Sequence, residues 1–232
     1  MTQAQAIIFD LDGCLVDSEP QSLAAVAAEM RALGIADATP EEIGARFLGV
    51  SISVIHDYVE RRSGAPCPPE FSANFERRLF ASYETGLSCI PGVPDLLQQL
   101  QAEEVPMAIG TGGSLLRLAT TLRLSGLAPY FEERGFSADQ VAQGKPAPDL
   151  FLLAARELGV PPEICVVIED SPHGVKAARA AGMRAIGFTG GTHLDGRREV
   201  HADTLRQAGA EEVLADMSHM YAALSALRHA PR

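Results

Sequence analysis

Apolar and polar positions follow two different regimes along the chain. Residues 5–10 are an apolar run closed by aspartate and glycine, which reads as a buried strand delivering Asp10 to its carboxyl edge. The pattern then turns helical. Leu23, Val26, Ala27, Met30 and Leu33 recur at helical spacing up to Gly34, and Ser18 with Gln21 fits a capping box ahead of them. "TPEE" at 39–42 starts a second helix with Pro40 in its first turn, and Val54, Ile55, Tyr58 and Val59 mark a third. After the break "GAPCPPE", residues 71–82 predict a fourth, so about seventy residues pass without a convincing strand.

From residue 88 the regime changes back. A helix carrying Val93, Leu96, Leu97 and Leu100 leads to the strand "VPMAIGTG", a helix over 114–125 ending at Gly126, and a weaker strand near 133–136. A helix over 148–158, the strand "ICVVIED", a helix over 172–181 closed by Gly182 and the strand "RAIGF" follow. The stripe Met217, Met220, Leu224 and Leu227 reads as core packing of a terminal helix. Alternating strands and helices predict an α/β fold, a doubly wound parallel sheet with helices on both faces. The expected division is a core of residues 1–16 and 88–232, interrupted after its first strand by an all-helical cap of residues 17–87. Ligands of such sheets bind outside the carboxyl ends of the strands, beside the insertion, so the cap can act as a lid.

Composition narrows the function classes. The chain of 232 residues is 47% hydrophobic and carries a formal charge of -11, which disfavours nucleic acid or an anionic membrane as partner. Cys14, Cys67, Cys89 and Cys165 are scattered without ligand-like spacing, so neither a disulfide frame nor a zinc site is expected and a reduced, cytoplasmic setting is. No leader or bilayer-spanning run is read from the sequence. Lysine occurs only at Lys145 and Lys176, against seventeen arginines. A lysine kept in that background draws notice to Lys145.

The candidate chemistry lies at the predicted strand ends. Asp10 and Asp12, two apart on an extended chain, point the same way. Two carboxylates about 4 Å apart repel by roughly 4 kcal/mol at an effective dielectric near 20. Thr111 with Gly112 and Gly113 follows a second strand, Glu169, Asp170 and Ser171 a later one, and Lys145 stands in the loop "QGKPAPD". Four carboxylates in oxygen-only company suggest a hard cation, Mg²⁺ above all. Around it, Thr111 and the glycine N–H groups could hold phosphate oxygens, Lys145 could pair a carboxylate and a phosphoryl group, Asp10 could attack phosphorus and Asp12 could move the proton.

These motifs together resemble the haloacid dehalogenase superfamily, in the branch with a helical cap after the first strand. "DLDG" at 10–13, Thr111 after an apolar strand, Lys145 in "GKPAPD" and "EDS" at 169–171 followed by Gly174 stand in the family's order over nearly the whole chain. The resemblance implies that Asp10 is nucleophile and magnesium ligand, and that Asp12 is acid/base and binds the metal through its main-chain carbonyl. It further implies that Thr111, Gly112 and Lys145 grip the phosphoryl group and that Asp170 with Glu169 completes the metal site. Cys14 stands where the family often has Thr or Val.

Within that family the expectation is a phosphatase acting on a small phosphorylated metabolite, a sugar or sugar-acid phosphate, with phosphoglycolate a further candidate. Asp12 argues against the dehalogenases, which lack it, and the absence of lysine from residues 17–87 against the phosphonate hydrolases. A hexose-phosphate mutase of the β-phosphoglucomutase type is the rival, because "FLGVS" at 47–51 resembles its cap segment. The mutases, however, carry a histidine where this chain reads "DSEPQSL" and an arginine where it has Ile52. A catalytically silent binding protein on the same fold is the alternative of another class. Glu19, Arg46 and His56 are the cap candidates for substrate contact, whereas Ser171 reads as a helix N-cap, His173 as a helix-start residue and Lys176 as solvent-facing. A cap already able to exclude water makes a monomer sufficient.

Overall fold

The computed structural model describes residues 6–131 and 133–229. Gln5, at the head of the first predicted strand, and the two ends of the predicted core segments lie outside those residues.

The four buried residues of β1 (Ala6–Phe9) are followed by four consecutive helices, α1 (Glu19–Ala32), α2 (Pro40–Phe47), α3 (Ile52–Ser63) and α4 (Phe71–Gly86). Alternation then sets in: α5 (Val93–Ala102), β2 (Met107–Thr111), α6 (Leu115–Ser125), α7 (Ala128–Phe131), β3 (Gly135–Ser137), α8 (Asp149–Glu157), β4 (Cys165–Glu169), α9 (Pro172–Ala180) and β5 (Arg184–Phe188). The chain continues through α10 (Arg198–Ala208), β6 (Glu212–Leu214) and α11 (Met220–His229). The six strands form one parallel sheet in the order β3-β2-β1-β4-β5-β6, with Ile8 paired to Ala108 on one side and Val167 on the other. The order reverses beside β1, so its carboxyl end opens at the switch point where such sheets bind ligands.

Period-two alternation divides the sheet's faces. Ile7, Phe9, Ile109 and Ile168 pack with α5, α6, α7 and α11, while Ala6, Ile8, Ala108 and Val167 pack with α8, α9 and α10. Met217, Met220 and Leu224 belong to the first of these cores, as their stripe implied. The inserted helices keep a third core of their own around Met30, Ile43, Phe71, Phe75 and Leu79. That independent core lets the cap hold its shape as a separate layer over the sheet edge. It joins the core through Val16 bridged to Cys89 and the Asp17 N–H donated to the Ser88 carbonyl.

Several local expectations are corrected. Ser18 makes no side-chain cap on α1, and the predicted capping box with Gln21 is absent; the hydroxyl is drawn instead to Asp12. Helix α4 runs to Gly86, beyond the predicted 82, and β3 begins at Gly135 rather than 133. Helix α10 and strand β6 went unpredicted. No helix among the described residues is long and apolar enough to cross a membrane.

Candidate active site

The path from strand to cap turns at Gly13, whose φ of +78° suits glycine and whose N–H donates to the Val16 carbonyl at 2.7 Å. A Cβ there would stand 2.2 Å from Asp170 Oδ2, so the turn passes directly over the acidic end of β4. This places Asp10, Asp12, Glu169 and Asp170, all buried, within one cluster.

Lys145 is the hub of that cluster. Its ammonium, 0% exposed, donates to Asp10 Oδ1 and Glu169 Oε1, each at 2.5 Å, and lies 5.1 Å from the centre of the Phe151 ring. Burial alone would lower the lysine pKa, but Asp10 and Glu169 more than offset it and hold the ammonium above its ordinary range. Burial pushes the Asp10 carboxyl well above the usual carboxylate range, opposed by Lys145 and reinforced by Glu169, Asp170 and Asp12. Asp170 is raised in the same way, by burial first and then by Glu169.

Glu169, expected beside the metal, has both oxygens engaged: Oε1 by Lys145 and Oε2 by the Ser171 N–H at 2.9 Å. A Cβ at position 174 would sit 1.7 Å from Glu169 Oε1, so this glutamate needs the glycine of α9 to fit. Ser171 caps α9 by accepting from the Gly174 N–H at 3.0 Å, with Pro172 in the first turn, as read from the sequence.

Asp12 is held by residues that the motifs did not reveal. Its Oδ1 accepts from the Ser18 hydroxyl at 2.5 Å and lies 2.8 Å from Arg117 Nη2, an ion pair with the arginine side chain 11% exposed. Burial would depress the guanidinium, yet Asp12, Tyr83 and Glu19 outweigh it and raise its pKa. Arg117 stands on α6 among residues of amphipathic helical spacing, where nothing in the sequence separates it from a surface arginine. The Thr111 hydroxyl accepts from the Gly113 N–H at 3.0 Å, which fixes the loop after β2. Cap and core meet over it: the Ser114 hydroxyl donates to Glu76, and a Cβ at Gly112 would touch the Gly49 carbonyl at 3.1 Å.

A cleft between cap and sheet edge has Asp10, Asp12, Thr111 and Gly112 at its floor and Glu19 and Arg117 on its wall. The cap side adds Leu23, Val26, Phe47, Ile52 and Phe75, and no lysine, arginine or histidine among the described residues. Its free volume is about 50 Å³, room for a few water molecules. Glu19 is buried there, and burial raises its carboxyl to about 7 against the pull of Arg117. The other two cap candidates lie elsewhere. Arg46, its side chain 58% exposed, pairs loosely with Glu42 at 3.9 Å and borders a separate groove beside His173, Arg197 and His201. His56 bonds Ser72 Oγ at 2.9 Å and packs edge-on against Phe71 inside the cap.

Among the described residues Lys145 pairs with Asp10 and Glu169 and Arg117 with Asp12, and a cation beside Asp10 and Asp170 would favour the charged forms that burial opposes. Asp170 Oδ2 is buried, with His193 Nε2 3.1 Å away and no hydrogen-bond partner among the described residues. Among the described residues no three or more His, Cys, Asp or Glu side chains form a ready-made cage. Carboxylates and a main-chain carbonyl are oxygen donors, the kind of ligand that Mg²⁺ takes.

Comparison with known proteins agrees with this geometry. The profile of the hydrolase family described as haloacid dehalogenase-like hydrolase matches residues 4–182. Hexitol phosphatase A of Escherichia coli (strain K12) is 36% identical over 186 residues, covering 79% of this chain and 82% of that protein. A conserved haloacid dehalogenase-like protein of unknown function from Agrobacterium tumefaciens str. C58 superposes with a TM-score of 0.75 at 40% identity, over 96% of this chain and 98% of its own. A HAD family hydrolase from Deinococcus radiodurans R1, solved with bound phosphate and sodium, superposes with a TM-score of 0.71 at 33% identity over 100% of both chains. The parallel sheet with its inserted helical cap is the fold of these relatives, and the chain belongs to the haloacid dehalogenase-like hydrolase family.

Proposed function

We propose that this chain is a cytoplasmic, Mg²⁺-dependent phosphatase that hydrolyses a small sugar or sugar-acid phosphate through an aspartyl-phosphate at Asp10. The observation that carries the reading is Lys145 bridging Asp10 and Glu169 at the switch point, 2.5 Å from each, beside an unsatisfied Asp170. Hexitol phosphatase A, similar over most of the chain, supports a polyol phosphate as the substrate class. Four unpaired cysteines suit a reducing compartment.

Lys145 holds Asp10 Oδ1, which leaves the second oxygen of this carboxylate to attack phosphorus. Asp12 gives its proton to the departing alkoxide as the phosphorus–oxygen bond to the sugar breaks. It then takes a proton from water, whose oxygen attacks the aspartyl-phosphate, releasing inorganic phosphate and regenerating Asp10. Ser18 and Arg117 keep Asp12 in position through both steps, and Thr111, Gly112 and Lys145 hold the phosphoryl oxygens. Asp10, Asp170 and the Asp12 carbonyl would hold Mg²⁺, which when bound supplies charge neutralisation for the transferring group. Glu169 acts on Lys145.

The cap lining favours hydrolysis over mutation of a sugar bisphosphate. Its described residues bring no cation to grip a second phosphate, and Ile52 lines the cleft where the mutases carry an arginine. Phosphate release from a panel of phosphorylated metabolites, with and without Mg²⁺, tests the reading. Hydrolysis of polyol or sugar monophosphates that depends on Mg²⁺ is expected; a mutase would keep phosphate on the sugar, and a silent protein would release none.

A further inference from the structure

The groove that Arg46 borders lies on the seam between cap and core, and the reaction just described makes no use of it. Arg46 on α2 and Leu48 just after it form the cap wall. His173 at the start of α9, with Arg197 and His201 at the start of α10, forms the core wall. The free volume is about 220 Å³, room for an ion of phosphate size with several water molecules.

The charge of this groove is opposite to that of the molecule. The chain carries a formal charge of -11, yet four of the residues lining the groove are arginine or histidine and none of the described ones is aspartate or glutamate. Arg197 enters no ion pair among the described residues. Arg46 has Glu42 only at 3.9 Å and lies 5.4 Å from the centre of the Tyr58 ring. A Cβ at Gly44 would stand 3.5 Å from Arg197 Nη2, so the guanidinium of the core already rests on the cap helix that carries Arg46.

Both imidazoles are oriented by backbone carbonyls. His173 Nδ1 lies 3.3 Å from the Leu48 carbonyl, which spans the seam, and His201 Nε2 lies 2.6 Å from the Asp170 carbonyl. A carbonyl oxygen only accepts, so each of these nitrogens carries the hydrogen. The other nitrogen of each ring is left for a ligand, to accept from its hydroxyl or to take up a proton and donate to its oxygen. Two forked guanidinium groups beside two such imidazoles suit a tetrahedral oxyanion.

We propose that this groove is a second anion site, in which Arg46 of the cap and Arg197 of the core together hold a phosphate-type dianion, either inorganic phosphate or the phosphoryl group of a monoester. His173 and His201 complete it. Bonds to both walls exist only while α2 stays beside Arg197, so the bound ion favours the cap position seen in the structure. The site shares no residue with the cleft over Asp10, and its occupancy does not depend on the reading of that cleft as a phosphatase centre.

The test is a nuclear magnetic resonance titration of the metal-free full chain, ¹⁵N-labelled in its histidine rings, with the His173 and His201 signals assigned by single substitution. Inorganic phosphate and glycerol 3-phosphate are added in separate series, with sodium chloride at matched ionic strength as the control. Both ring signals should move saturably below about 10 mM with at least one phosphate compound and not with chloride, and the tighter compound names the source. Arg46→Ser combined with Arg197→Ser, both exposed positions, should weaken this binding about tenfold or more, whereas Asp10→Asn should leave it unchanged. Amide exchange across α2 should slow on saturation in the wild type. Signals that stay still, that follow chloride equally, that move alike in the double variant or that need Asp10 would overturn the site. Binding without slower exchange would overturn its hold on the cap. Because the titration uses neither metal nor turnover, each of these outcomes leaves the proposed phosphatase reaction standing.

Discussion

Arg117 Nη2 lies 2.8 Å from Asp12 Oδ1, and the same oxygen accepts the Ser18 hydroxyl. A helix of the core and the residue just before α1 of the cap thus hold one carboxylate between them. Arg117→Met should lower kcat roughly ten- to a hundredfold with a smaller change in KM if, as proposed, Asp12 moves protons in the transition state rather than binding the sugar. Arg117→Lys should recover part of the loss, and steady-state kinetics of the three proteins check it. An equal fall in affinity and turnover would make Arg117 a substrate contact instead.

Lys145 neutralises two buried carboxylates at once. Lys145→Met leaves Asp10 and Glu169 without their cation, and a stability loss of roughly 3–5 kcal/mol at neutral pH is expected, with kcat/KM down by about a hundredfold or more. Chemical denaturation with and without Mg²⁺ reads the first effect. The variant should gain more stability from Mg²⁺ than the wild type does, since the ion takes over part of the missing positive charge.

Gly174 lies against Glu169 with no room for a methyl group. Gly174→Ala, ordinarily favourable inside a helix, should here destabilise by about 1–3 kcal/mol and slow turnover by displacing the glutamate that holds Lys145. Thermal melting and phosphate release measured side by side test this; an unchanged melting temperature would remove Glu169 from the account.

The raised carboxyl of Glu19 gives a pH signature with a definite sign. Its folded pKa, about 7, exceeds the ordinary 4.5, so the folded state binds the proton more tightly. The stability this contributes is fully present below about pH 4.5 and is lost as pH rises through about 7. Glu19→Gln removes the titration. The variant should match the wild type in acid and gain on it through that window, by an amount on the order of 3 kcal/mol above neutrality. Denaturation midpoints of the metal-free proteins across this range check the prediction, and parallel pH profiles would refute it.

Much of this site could be read in the chain because its residues sit at strand ends, where a buried run stops at a polar residue. Asp10, Thr111 and Asp170 announce themselves in that way, and Lys145 does so as one of only two lysines in the chain. Arg117 and His193 do not. The first looks like one more arginine on an amphipathic helix, and the second stands in a glycine-rich loop whose path only the tertiary fold determines. Ser18 was assigned to a helix cap because nearby Asp12 competes for its hydroxyl only once the turn at Gly13 closes. Arg46 and His56 were candidates by chemistry alone, since the facing direction of a cap helix depends on how its core packs. The segment holding α10 and β6 stayed hidden because it is mostly polar, with only Ala202 and Leu205 buried along α10.

The most direct measurement is chemical trapping of the intermediate. Protein turning over its best substrate from the metabolite panel in Mg²⁺ is quenched, reduced with borohydride and digested, and the peptide spanning Asp10 is examined by mass spectrometry. The account predicts that Asp10 is converted to homoserine, the reduction product of an aspartyl-phosphate, and that Asp10→Asn neither traps nor turns over. Rapid phosphate release with Asp10 unmodified, or sustained turnover by Asp10→Asn, would contradict it.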